Sequence, residues 1–268
     1  MIVVPGTGAL DGSRGRLFVV VGVFDGLHLG HDYLLGELRR DAAERGARPA
    51  VITFDHHPDE ILKGVAPPLL CDPEDRLQRL EAAGVEVTVI EVFNRPLRET
   101  PFDLWVSAIA ERVDLAGFLM TPESAFGYER GGNPATVADL GRSLHYEVVV
   151  VPQFTLDGEP VRSSDIRSAI AAGDLERAAR LLGRPVSVVG TVAGTPSAGI
   201  ELAFELPVAL PPAGRYEALV RTGGGGLHAG HLEIDDRHVW VTLAASVRTG
   251  ERLAIELVRT VSATIRRS

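Results

Sequence analysis

The stretch Leu17–Leu38 constrains this chain most, because it changes from a strand pattern to a helix pattern across a few glycine-rich residues. Its first five residues, Leu17–Val21, form a continuous apolar run, which is typical of a parallel strand covered on both faces. From Asp32 onward, apolar residues recur at helical spacing until Gly46 offers a stop. A buried strand followed directly by a helix predicts a βα unit.

Two histidines lie in the turn between this strand and this helix. His28 and His31 are three residues apart at the mouth of the helix, so both rings can face one point above its N-terminus. Free amides and the helix dipole favour an anion there, and Gly30 lets a ligand approach the backbone. The pattern therefore indicates a phosphate site. A purely structural histidine pair and a zinc site are the alternatives. Zinc is disfavoured because the HExxH spacing is absent and no cysteine lies nearby.

Strand and helix patterns continue to alternate up to about residue 186. The strands after the first are predicted at 48–54, 86–92, 117–120 and 147–151. Such alternation predicts an α/β fold with a doubly wound, Rossmann-like parallel sheet, which binds ligands at the carboxyl ends of its strands. Residues 1–15 are expected to form an irregular lead-in.

A helix is predicted between residues 100 and 114, after Thr100-Pro101. Leu104, Ala108 and Val113 recur along it at near-helical spacing. We therefore expect these three side chains to form the stripe that faces the sheet.

The C-terminal part consists of short runs rich in β-branched residues, separated by Gly, Pro or charged turns. Six such runs are predicted, at 186–192, 200–206, 216–221, 232–234, 239–244 and 253–258. They predict a small antiparallel β-barrel, so the predicted domains are 1–186 and 187–268. Gly223–Gly226 is expected to be a hairpin tip, and His228 and His231 are expected to lie on a surface loop.

The chain carries a formal net charge of −9, and it has no basic stripe, so no nucleic-acid partner is expected. A site for a polyanionic ligand must then be locally positive or use a divalent cation. No apolar run approaches the roughly 18 residues needed to cross a bilayer, so no membrane partner is expected. Cys71 is the only cysteine and no signal-peptide pattern is found, which favours the cytoplasm. The sequence leaves the oligomeric state open.

The string GVFDGLHLGH at residues 22–31 resembles a signature of the HxGH nucleotidyltransferase superfamily. It is most similar to the form found in the adenylyltransferase module of prokaryotic bifunctional FAD synthetases (riboflavin kinase/FMN adenylyltransferase). The resemblance extends over about residues 16–186 and includes TFDHHP at 53–58 and VRSSDIR at 161–167. It implies a nucleotidyltransferase-type sheet, small-molecule substrates ATP and FMN, and Mg²⁺ as cofactor. The implied reaction moves AMP from ATP to FMN and gives FAD and pyrophosphate.

The resemblance also implies roles for the matching residues. The implied catalytic residues are His28, His31, Ser164 and Arg167. The implied ATP-binding residues are Gly22, Phe24, Asp25, Gly26, Gly30, His57 and Ser163. The implied flavin-binding residues are Phe93, Asn94, Phe126 and Gly127. No metal ligand from the protein is implied.

Two departures from the family pattern keep alternatives open. In the flavin-side loop, Glu123 and Ser124 replace an Asp and an aromatic residue, so another phosphomonoester is an alternative acceptor. The barrel occupies the position of the family's riboflavin kinase, but GTPSAG at 194–199 alters the kinase's Thr and Asn, so kinase activity is predicted to be absent. A non-catalytic flavin- or nucleotide-binding regulatory protein is the third possibility, and the intact HxGH and SSxxR elements disfavour it.

Overall fold

The computed structural model describes residues 1–195, 199–235 and 238–261. The chain divides into two compact units, one made of residues 1–67 and 74–160 and the other of 68–73 with 161 onward. The domain boundary after residue 186 stays a prediction. In the described ranges, no helix is long and apolar enough to cross a membrane.

The first unit contains a six-stranded, entirely parallel sheet, which confirms the predicted fold. Its strands are β1 (Ile2–Pro5), β2 (Arg16–Val21), β3 (Arg48–Phe54), β4 (Val87–Glu91), β5 (Asp114–Met120) and β6 (Glu147–Val150). Their order is β1-β4-β3-β2-β5-β6, so the connections reverse direction between β2 and β5. In such sheets the reversal opens a crevice at the carboxyl ends of the strands.

The expectation of an irregular lead-in is wrong for the first residues, because β1 is an edge strand of this sheet. Val4 pairs with Val89 of β4 and is 2% exposed. Two short 3-10 turns, at Thr7–Ala9 and Gly12–Arg14, then lead to β2.

The helices that accompany the sheet are α1 (Leu29–Glu44), α2 (Asp59–Lys63), α3 (Pro73–Ala82), α4 (Arg95–Glu99), α5 (Phe102–Ala110) and α6 (Pro134–Leu144). Those with buried residues cover both faces, α1 and α3 one face and α5 and α6 the other. Alternate residues of β2 enter different cores, since Phe18 packs with Leu35 and Leu80, whereas Leu17 packs with Ile109. This alternation is what a sheet covered on both faces requires.

The stripe predicted for α5 is wrong for Leu104 and Ala108. Leu104 is 61% exposed and Ala108 is exposed, while the buried residues of the helix are Trp105, Val106 and Ile109. The helix ends at Ala110, so Val113, although buried, lies beyond the helix and is not part of its stripe. The apolar spacing predicted the helix but assigned its buried face to the wrong side.

Among its described residues, the second unit contains two helices besides the predicted closed barrel. The elements are α7 (Ser163–Ala171), α8 (Leu175–Leu182), β9 (Ser187–Gly194), β10 (Ile200–Ala203), β11 (Gly214–Arg221), β12 (Leu227–Ile234), β13 (Val239–Leu243) and β14 (Arg252–Thr260). A small hairpin in the first unit, β7 (Thr155–Leu156) with β8 (Glu159–Pro160), precedes them. Every neighbouring pair in the barrel is antiparallel.

The hairpin tip at Gly223–Gly226 is confirmed by the bond from Thr222 N to Gly226 O, at 3.0 Å. The loop expected at His228 and His231 is wrong, because both residues lie in β12. The strand resumes directly after the hairpin, where both histidines pair with β11 and His231 also pairs with β13. Residues 196–198 of the GTPSAG string lie outside the described residues.

Candidate functional site

A strained loop joins β2 to α1 at the carboxyl edge of the sheet. Phe24, Gly26 and Leu27 have positive φ angles of 53°, 84° and 36°. Positive φ is costly for Phe and Leu, and such strain persists where the surrounding structure fixes the backbone. The loop therefore brings His28 to one defined place, where it is the N-cap of α1.

His28 and His31 form a stacked pair at this helix start. Their ring centroids are 3.8 Å apart and the planes are inclined by 16°. The His28 Nδ1 accepts a hydrogen bond from the backbone N–H of His31 at 3.3 Å, and His28 is 5% exposed. A neutral imidazole that accepts at Nδ1 carries its proton on Nε2. The cap therefore leaves His28 with an Nε2–H donor, next to the amides that open α1.

Phe24 packs against the His31 ring of this pair. Its ring centroid lies 5.0 Å from that of His31, and a Cβ at Gly22 would lie 3.0 Å from the Phe24 Cε2. Phe24 is 1% exposed and Asp25 is 3% exposed. Gly30 is the second residue of α1, between the two histidines. The residues of the first signature thus pack closely around the two imidazoles.

A cavity of 690 Å³ opens on the same unit. Five predicted site residues line it together, namely Gly22, His57, Phe93, Phe126 and Gly127. His28 and His31 are not among its lining residues. The cavity volume lies in the range of small-molecule and cofactor sites.

Aromatic side chains form much of the cavity wall. Phe54 and Phe93 meet edge to face with centroids 5.3 Å apart. Phe126 packs against Trp105 at 5.4 Å and against Phe118 at 5.9 Å. Such walls suit a flat apolar ring system.

The loop that contains Phe126 and Gly127 is held tightly against α5. Phe126 and Gly132 bond to each other through both backbone groups, at 3.2 and 2.9 Å. A Cβ at Gly127, whose φ is 74°, would lie 2.6 Å from the Cβ of Phe102. Only glycine fits this contact, which explains the residue type at Gly127.

His57 and Asn94 both accept hydrogen bonds from nearby backbone amides. The His57 Nδ1 accepts from the Asp59 N–H at 3.1 Å and so, when neutral, carries its proton on Nε2. The Asn94 Oδ1 accepts from the Leu97 N–H at 2.9 Å and caps α4. Asn94 is not among the lining residues of the cavity, so its observed function is that of a cap.

Asp55 fixes the ends of β3 and β4 next to the cavity. Its Oδ1 accepts from the backbone N–H groups of Phe93 and His56, at 3.0 and 2.8 Å. Burial alone would raise the pKa of Asp55, but the bonds from Phe93 and His56 outweigh it and lower the pKa below its usual value. Asp55 is therefore a carboxylate that holds Phe93 in the wall.

The residues of the second signature lie in the second unit, at the start of α7. Ser163 is the first residue of the helix, and the Ser164 carbonyl accepts from the Ser168 hydroxyl at 2.9 Å. The Arg167 Nε donates to the Pro68 carbonyl at 2.8 Å. Within the described residues, no three His, Cys, Asp or Glu side chains are grouped to hold a metal ion.

Sequence reasoning missed several lining residues. They include Phe54, Arg98, Trp105, Phe118 and Tyr128. Trp105 had a usable signal, because a Trp in a helix of the first unit has few apolar surfaces to pack on besides the sheet. The others depend on how separate segments meet, which no local pattern reports.

Comparison with known proteins gives three findings. The family model described as FAD synthetase matches residues 12–165. The bifunctional riboflavin kinase/FMN adenylyltransferase of Haemophilus influenzae is 30% identical over 82% of this chain and 74% of its own length, and that of Bacillus subtilis is 30% identical over 79% and 70%. A crystal structure of a macrolide-efflux protein from Streptococcus pneumoniae shares the fold, with a TM-score of 0.83 and 20% identity over 97% of this chain and 91% of that one.

Proposed function

The chain belongs to the FAD synthetase family, a family of nucleotidyltransferases, and from this premise we propose that it moves AMP from ATP to FMN. The products are FAD and pyrophosphate. The single observation that carries the proposal is the stacked pair of His28 and His31 at the N-terminus of α1. The aromatic cavity in the same unit offers space for the flavin.

The proposed reaction is one in-line displacement. An oxygen of the FMN phosphate attacks the α-phosphorus of ATP, and the bond from that phosphorus to the oxygen bridging to the β-phosphorus breaks. Negative charge moves onto the departing pyrophosphate. Catalysis then depends on positioning and on stabilising this charge.

His28 supplies a hydrogen-bond donor in this scheme. Its Nδ1 is occupied by the His31 amide, so its Nε2–H is the group that can donate to a phosphate oxygen. The stacked ring of His31 keeps the pair together, and the positive end of the α1 dipole adds to the attraction for phosphate. Gly22, Asp25 and Gly26 belong to the loop that we propose to surround the adenosine.

Mg²⁺ enters the proposal as part of the nucleotide substrate. Magnesium commonly binds through substrate phosphates with few protein ligands. The described residues offer no cluster of three ligating side chains, so no step proposed here depends on an ion held by the protein. Ser163, Ser164 and Arg167, at the start of α7, are proposed from the family resemblance to bind phosphate oxygens.

The flavin ring is proposed to lie in the aromatic cavity, between Phe93 and Phe126. The wall residues Trp105 and Phe118 hold Phe126 in place. The His57 imidazole is a polar group at this wall. We further propose that the barrel lacks riboflavin kinase activity, because the Thr and Asn of the kinase motif are replaced in GTPSAG. The single cysteine supports a cytoplasmic location.

One assay tests these proposals together. The purified chain is incubated with ATP, Mg²⁺ and either FMN or riboflavin, and the flavins are separated by chromatography. FAD from FMN, with no product from riboflavin, is the expected result. FMN or FAD from riboflavin would overturn the loss of kinase activity. No FAD from FMN would overturn the adenylyltransferase proposal, and pyrophosphate release with other phosphomonoesters would then identify the acceptor.

A further inference from the structure

A buried guanidinium lies under the carboxyl edge of the sheet. Arg76, on α3, is 7% exposed. Its Nη1 donates to the Val23 carbonyl at 3.3 Å and its Nη2 donates to the Phe54 carbonyl at 2.9 Å. Its Nε is buried without a hydrogen-bond partner, and no carboxylate among the described residues lies within ion-pair distance.

This environment is costly for a cation. Moving a charge out of water costs several kcal/mol unless it is paired, and the two carbonyls supply only dipoles. A Leu or Met at Arg76 would fill similar space in the α3 interface without that cost. The charge is therefore not explained by packing of α3 alone.

The two carbonyls belong to the strand ends that present the site. Val23 directly precedes the loop from Phe24 to His28, and Phe54 precedes the segment with Asp55 and His57. Both Val23 and Phe54 line the cavity. The Thr53 hydroxyl also donates to the Val23 carbonyl at 3.0 Å, so β2 and β3 are joined at their ends by side chains beyond the last ladder bonds.

We propose that Arg76 is a positioning residue of the nucleotidyl transfer. It fixes the end of β2 relative to the end of β3, and thereby the His28 loop relative to His57. It also places a permanent positive charge beside the edge that receives an anionic substrate, within a chain of net charge −9. This inference rests on the proposed function, since it assigns Arg76 a part in that reaction.

The kinetic test compares Arg76→Met with Leu80→Ala. Leu80 lies one turn further along α3 and is fully buried, so its truncation weakens the same helix interface but keeps the guanidinium. We expect Arg76→Met to lower kcat by about 10- to 100-fold, as expected for misplaced reacting groups. Arg76→Lys should recover part of this loss, because its ammonium can reach one carbonyl. Leu80→Ala should lower the melting temperature at least as much while kcat stays within about threefold of the parent.

An NMR measurement on the ligand-free protein tests the same inference without turnover. The imidazole resonances of His28 and His57 should move in Arg76→Met and stay near their parent positions in Leu80→Ala. If Arg76→Met and Leu80→Ala change these resonances and kcat to the same extent, Arg76 is only a structural residue and the inference is overturned. If the parent makes no FAD, the proposed function fails, and the imidazole shifts still decide whether Arg76 positions the two segments.

Discussion

The imidazoles of His28 and His31 are stacked 3.8 Å apart at the first turn of α1. The same bond that caps the helix, from the His31 amide to the His28 Nδ1, also places the proton of a neutral His28 ring on Nε2. Helix capping and the proposed phosphate binding therefore use different atoms of one ring. This separation makes the two functions of His28 testable independently.

The substitution His28→Asn should separate them. Asn is among the best N-cap residues, so the free energy of unfolding should stay within about 1 kcal/mol of the parent. The Nε2–H donor is lost, and removal of one preorganised donor to developing charge should lower kcat by about 10²- to 10³-fold. Chromatographic detection of FAD gives the rate, and thermal unfolding gives the stability.

His145→Asn is the matched control for that variant. His145 is the C-cap of α6 and has a φ of 61°, a conformation that Asn tolerates well. The control should leave both rate and stability unchanged. A His28→Asn enzyme that works at the parent rate would contradict the assigned donor.

The sequence was sufficient to predict the β2–α1 unit and its two histidines, because strand run, glycine turn and helical spacing are all local. It was not sufficient for β1. That strand has four residues and is stable only because it pairs with β4, more than eighty residues away. Its backbone hydrogen bonds, and not its pattern, distinguish it from an irregular lead-in.

The cavity wall was predictable only in part, for a related reason. Phe93 and Phe126 could be found from short strings, whereas Trp105 reaches the wall from a helix that packs against the sheet. On α5, neighbouring Leu104 and Trp105 are both large and apolar, and only the tertiary structure decides that Trp105 faces inward while Leu104 is 61% exposed. Charge at a buried position, as at Arg76, cannot be inferred from spacing alone.

Asp55 gives the site a predicted pH dependence. Its pKa is lowered in the folded state, so its carboxylate contributes stability that is fully present above the unfolded pKa and is lost as the pH falls through the folded pKa. Asp55→Asn keeps an oxygen acceptor for the Phe93 amide but removes the charge. The parent should therefore melt at a higher temperature than the variant above about pH 4, and the difference should shrink below that pH. A constant difference across melting curves from pH 3 to 7 would contradict this assignment.

Trp105 should report on flavin binding. The chain has two tryptophans, and Trp105 lies in the cavity wall while Trp240 lies in β13 of the barrel. Addition of FMN should quench the emission of Trp105 in a saturable manner. Trp105→Phe should lose this response but keep most of the affinity, because Phe retains an aromatic wall, whereas Trp240→Phe should keep the response. Saturable quenching that survives in Trp105→Phe would place the flavin elsewhere.

Gly127 should be irreplaceable for the flavin-side loop. An added Cβ would lie 2.6 to 2.8 Å from the Cβ, Cα and N of Phe102, and these atoms lie at the start of α5, where they have little room to move. Gly158→Ala is the control, since Gly158 also has a positive φ, of 86°, but has no atom within 4 Å of the added Cβ. The control should lose about 1–2 kcal/mol of unfolding free energy from backbone strain alone.

Gly127→Ala should lose more, about 2–4 kcal/mol, because steric overlap adds to the strain. The overlap displaces the loop that carries Phe126, so FMN affinity measured by calorimetry should fall at least about tenfold, whereas Gly158→Ala should bind FMN as the parent does. Equal destabilisation by the two substitutions would mean that the contact with Phe102 relaxes freely. Unchanged FMN binding in Gly127→Ala would remove Phe126 from the proposed flavin site.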